Sequence, residues 1–140
     1  SLDESEYQGQ QVQNLYYQGQ IFYRQGDYQQ AEIIFEEALI KAEEIEWEKA
    51  IAAIHNWLAD IALINGDLAE ARRLLEYSLP MAQRHKDKRI IAFHKATFAK
   101  LEKTCGNQFQ AHRLAKEAIE SFESLKMSTE AKKMYALLAN

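Results

Sequence analysis

A chain of 140 residues, 47% hydrophobic with a single proline, has the size and composition of one packed domain. Its formal net charge of −4 argues against a general nucleic-acid binder. No apolar run reaches the roughly 18 residues that a membrane span needs. No secretory signal pattern is present, and a lone cysteine, Cys105, has no internal disulfide partner, so a reducing, cytoplasmic setting is expected. The start at Ser1-Leu2, without methionine, reads as a cloning remnant or as part of a longer chain.

Residues 1–5 are polar and expected to fray. A first helix is expected from about Glu6 to Gln25. Its glutamines at positions 8, 10, 11, 13, 18, 20 and 25 would also suit a disordered tract, but Leu15, Gly19 and Phe22 are in helical phase. A sharp turn at Gly26-Asp27 leads to a helix over 28–45, where Ala31, Phe35 and Ala38 share a face. The third helix, over 47–64, carries Trp47, Ile51, Ile54, Leu58 and Ile61. The fourth, over 68–85, carries Leu74, Leu75, Leu79 and Met81, and Pro80 is expected to kink it or unwind its end. Helices over 88–104 and 108–125 follow. A seventh, over 128–139, carries Ala131, Met134, Tyr135, Leu138 and Ala139.

These elements repeat with a step of 40 residues. Gly26, Gly66 and Gly106 keep it, as do Ala31, Ala71 and Ala111, and again Gly19, Ala59 and Ala99. Glycine takes a positive φ at little cost and closes one helix, and Asp27, Asp67 and Asn107 are placed to cap the next. The small residues let neighbouring helices approach, and Phe35 fills the gap beside them. The unit is an antiparallel helix pair, repeated over about 6–45, 47–85 and 87–125. Helix 128–139 begins a fourth unit. It is either a solvating cap, for which Lys132, Lys133 and Asn140 supply polar surface, or a cut through a longer array.

The pattern Leu15, Gly19, Phe22, Gly26, Tyr28, Ala31, Phe35 and Ala38 resembles the tetratricopeptide repeat. Leu58, Ala59, Gly66, Ala71 and Leu75 continue it, as do Phe98, Ala99, Gly106, Ala111 and Ala118. The departures are His55 and Lys95 at the position of Leu15, Glu102 at that of Phe22, and no proline at the repeat ends. The family's usual period is 34 residues, and six more lengthen both helices. The resemblance implies an all-α fold, a right-handed α-solenoid of about three and a half repeats. A second likeness is finer. Gly66-Asp67-Leu68-Ala69-Glu70-Ala71-Arg72-Arg73-Leu74-Leu75-Glu76, with Ser121-Phe122-Glu123-Ser124-Leu125-Lys126-Met127 before a last helix, is similar to repeat arms of bacterial signal-transducing NTPases that act as transcriptional regulators.

Glu43, Glu44, Glu46 and Glu48 crowd one junction, and Arg84, Lys86, Lys88 and Arg89 the next, one period on. Stacking is expected to set these rims side by side, either as solvated pairs worth roughly 0–1 kcal/mol each or as a docking edge. His55, His85, His94 and His112 lack zinc spacing, and neither a phosphate loop nor a nucleophile elbow is present. No catalytic residue, metal site or cofactor is expected, and the chain does not read as an enzyme.

In the resembled family the first helix of each pair lines a concave groove. Matched position by position, the groove residues are Gln13, Tyr16, Tyr17, Gln20, Tyr23 and Arg24, then Asn56, Trp57 and Asp60, then Phe93, Thr97, Lys100 and Lys103, and finally Lys133. Ile64 and Thr104 are further groove positions by the same match. The set is aromatic and amide-rich at first and basic at its end, which implies a peptide or protein partner with acidic residues toward the later repeats. A carboxylate clamp is absent, since Tyr16, Gln20, Trp57, Phe93 and Thr97 stand at its positions. The resemblance thus implies a non-catalytic scaffold. A self-associating module, forming a homodimer, and a sensor of a small signalling ligand are the alternatives.

Overall fold

The computed structural model describes residues 4–140, so the expected fraying lies outside the described residues for 1–3, while Glu4 and Ser5 already sit in the first helix. The helices are α1 Glu4–Arg24, α2 Tyr28–Glu44, α3 Glu48–Ile64, α4 Leu68–Arg84, α5 Lys88–Thr104, α6 Gln108–Ser124 and α7 Ser128–Ala139. Among the described residues there is no strand. From α2 onward the helices begin at 28, 48, 68, 88, 108 and 128, so the forty-residue period divides into two equal steps. The all-helical array of successively packed helix pairs has the form of an α-solenoid.

One turn geometry accounts for that regularity. At the end of α1, the Gly26 N–H donates to the Tyr23 carbonyl (3.0 Å) and the Asp27 N–H to the Phe22 carbonyl (2.9 Å). This pair of bonds closes a helix whose next residue is left-handed. The same two bonds recur at all six turns. Within a pair the left-handed residue is glycine, with φ of 82, 81 and 84° at Gly26, Gly66 and Gly106. Between pairs it is Glu46, Lys86 or Lys126, with φ of 55, 52 and 61°. These turns hold no glycine to mark them in the sequence; α3 begins at Glu48, one residue later than expected, while α5 and α7 begin at 88 and 128 as expected.

The residue after each left-handed position ends one helix and caps the next. Asp27, Asp67 and Asp87 accept from the N–H of Gln30, Glu70 and Ile90 at 3.2, 3.1 and 2.9 Å. The expected cap at Asn107 is not made. Its amide instead donates to Glu102 Oε2 (3.1 Å), and Glu102 is in turn held by Arg72. The buried carboxylate at the Phe22 position is therefore paired rather than orphaned. The expected unwinding at Pro80 does not occur, because α4 runs past it to Arg84. Pro80 and Glu76, whose carbonyl loses its partner, are both exposed, so water can satisfy the loss.

The pairs interlock through size complementarity. Phe35, wholly buried, lies against Gly19 so closely that a Cβ on Gly19 would meet its ring at 2.6 Å. One period on, Ala59 and Leu75 stand at these positions, then Ala99 and Ala115, all wholly buried. The acidic and basic rims meet only in part: Glu48 accepts from Arg84 (2.8 Å) and His85 (3.0 Å), and Lys49 pairs with Asp87 (3.1 Å).

Candidate functional site

The odd-numbered helices share one wall, and a cavity of about 780 Å³ opens on it. Twelve of the sixteen expected groove residues line this cavity: Tyr16, Tyr17, Gln20, Tyr23 and Arg24 from α1, Asn56, Trp57 and Asp60 from α3, Phe93, Thr97 and Lys100 from α5, and Lys133 from α7. The other four do not. Gln13 is exposed away from the cavity. Lys103 turns aside and donates to the Leu137 carbonyl (2.6 Å) near the end of α7, where a cation suits the negative end of the helix. Ile64 and Thr104 also lie off the cavity.

The cavity has a rigid aromatic flank. Trp57 is stacked on Phe35 (ring centroids 5.6 Å apart, 16° between planes) and meets Tyr23 edge-on at 5.0 Å. Its indole N–H donates to the Tyr16 hydroxyl (2.9 Å). Trp57 thus packs between pairs and faces the cavity at once. Burial raises the Tyr16 phenol above its usual pKa, so its own proton stays in place.

The polar residues are mostly matched. Asp60, buried, accepts from the Tyr23 hydroxyl and from Lys100 Nζ (3.0 Å). Burial and the adjacent Asp60 carboxylate together raise the Tyr23 pKa far above the phenol range. Lys133 lies 3.6 Å from Glu130. The three lysines expected to form a basic region are thus each engaged within the chain. Two guanidinium groups lack a carboxylate partner among the described residues: Arg24, which donates to Gln20 (3.3 Å), and Arg89, 5.9 Å from the Phe93 ring centroid. Asn56 differs from all of these. It is 7% exposed, it lines the cavity, and its Oδ1 is buried with no donor.

Ala53, Asp87, Arg89, Ile90, Ala96, Phe122, Met127, Thr129, Glu130 and Met134 also line the cavity and were not expected there. Register holds a signal for some of them: Ala53 stands one period from Phe93, and Ala96 one period from Asn56. Phe122 and Met127 come from the second helix and the turn, outside any first-helix pattern.

A Ser–His pair exists, with Ser78 Oγ 2.7 Å from His94 Nε2, and both residues are wholly buried between α4 and α5. Among the described residues, no group of three or more His, Cys, Asp or Glu side chains is placed to hold a metal ion. No described helix is long and apolar enough to cross a membrane.

A family model described as the tetratricopeptide repeat matches residues 12–45, the first helix pair. A comparison with curated proteins gives no match.

Proposed function

From a chain of the tetratricopeptide-repeat type, whose repeats generally serve as non-catalytic scaffolds for protein–protein contact, we propose a receptor for an extended peptide segment, bound in the cavity of the odd helices. The observation that carries this reading is Asn56. A carboxamide set in an aromatic wall with a buried, undonated oxygen leaves hydrogen-bonding capacity unmet, which costs roughly 1–3 kcal/mol until a partner supplies it. A main-chain amide offers one N–H and one C=O side by side, the complement of a carboxamide. A helical ligand has those groups already bonded within itself, so an extended segment fits better. Tyr16, Trp57 and Phe93 supply flat contact area for its side chains. Acidic side chains of the segment meet Arg24 and Arg89 rather than the engaged lysines. In this reading the chain is the recognition arm of a larger bacterial regulator, the setting implied by the likeness of residues 66–76.

Selection from a displayed library of random peptides tests it. Binders are expected, and Asn56→Ala and Trp57→Ala should each weaken them at least tenfold, while Ile33→Ala on the opposite side leaves them unchanged. Failure to select any binder, or binders indifferent to both cavity variants, would end the proposal.

A further inference from the structure

The apolar core of the array is divided. One cluster runs from Val12 to Leu75 through α1–α4, and a second from Ala92 to Met134 through α5–α7. From α5, Leu101 joins the first cluster and Phe98 packs against it. Polar contacts also cross from α3 and α4 to the second body. Lys49 reaches Asp87 (3.1 Å), Lys100 reaches Asp60 (3.0 Å), and Arg72 pairs with Glu102.

At the middle of this junction sit Ser78 and His94. One period earlier, at the α2–α3 junction, the same two positions hold Ala38 and Ile54, both wholly buried. An apolar contact in one junction is thus a hydrogen bond in the other. That bond is also short of protons. His94 Nδ1 lies 2.9 Å from the Ile90 carbonyl, an acceptor only, so the proton of the neutral ring is assigned to Nδ1 and Nε2 must accept. Ser78 then has a single proton for two acceptors, His94 Nε2 at 2.7 Å and the Leu74 carbonyl at 2.8 Å. Such a contact contributes less than continuous apolar packing, and water can replace it when the surfaces part.

We propose that the α4–α5 junction is a hinge. Residues 4–84 and 88–139 move as two bodies about Phe98 and Leu101, and the cavity, whose wall belongs to both bodies, changes width as they turn. The consequence for an occupant rests on the peptide reading; the hinge does not, and its test needs no ligand.

Distances between paired spin labels decide it. In a Cys105→Ser background, labels at Gln13→Cys and Lys116→Cys span the junction, and labels at Gln13→Cys and Glu76→Cys stay within the first body. All of these side chains are exposed. The spanning pair should give a distance distribution several ångströms broader than the control. Ser78→Ala combined with His94→Ile, which restores the residue classes of the α2–α3 junction, should narrow it to the control width. A spanning distribution as narrow as the control overturns the hinge, and the spanning pair without the double substitution suffices for that outcome if the double variant does not fold. A broad distribution that the folded double variant leaves unchanged also overturns it, by placing the motion elsewhere.

Discussion

Gly19 is small because Phe35 occupies the space its side chain would need. Alanine there would add about 1 kcal/mol of helix propensity, but its Cβ would lie 2.6 Å from a wholly buried ring. Overpacking of this kind costs about 1–3 kcal/mol, so Gly19→Ala should lower the free energy of unfolding in urea, and adding Phe35→Leu should recover part of the loss. His94 makes the second prediction at this scale. Burial holds its pKa down to about 4, from an ordinary 6.5. Above pH 6.5 the ring is neutral folded or unfolded. As pH falls from 6.5 toward 4, only the unfolded chain takes up the proton, so stability drops across that window by up to about 3 kcal/mol. His55, also lowered chiefly by burial, adds to the slope with the same sign. Urea titrations at pH 7 and pH 5 should show the drop, and His94→Ile should make it shallower.

At the scale of the element, the six turns share one hydrogen-bond pattern but not one residue type. Gly66 sits at φ 81°, where a side chain is strained by about 1–2 kcal/mol. Gly66→Ala should therefore lower the melting temperature although a Cβ there meets nothing within 4 Å. Lys86→Gly relieves strain at φ 52° but gives the unfolded chain more freedom, so the net gain should be a few tenths to about 1 kcal/mol, with the melting temperature rising. Helix identity and order were legible in the sequence because the apolar residues keep a 3.6-residue rhythm and three glycines mark turns. After the turns between pairs, only the start of α3 was misplaced, by one residue; α5 and α7 start where expected although Lys86 and Lys126 carry no mark of a left-handed backbone. The cap at Asn107 misled for a different reason. Its side chain is drawn off by Glu102, a partner that only the folded array brings near.

On the scale of the whole molecule, stability in a stacked array is a sum of units and the contacts between them. Because the core falls into two clusters, damage to one should stay in it. Phe122→Ala should cost about 3–5 kcal/mol and speed amide hydrogen exchange in α5–α7 while α1–α3 remain protected; Phe35→Ala should do the reverse. Equal acceleration everywhere would show a single cooperative core. The cavity was largely legible because its residues recur at fixed steps along the first helices, and repetition carries them to one wall. The arginines without carboxylates and the polar junction were not, since both depend on which charges pair across helices far apart in the chain. The uniform turn has a last consequence. Since every helix after α2 starts twenty residues beyond its predecessor, the corner is a constant of the architecture, while the more closely packed hairpin remains its building block. Grafting or excising a whole hairpin at either extremity therefore leaves all remaining stacking registers intact.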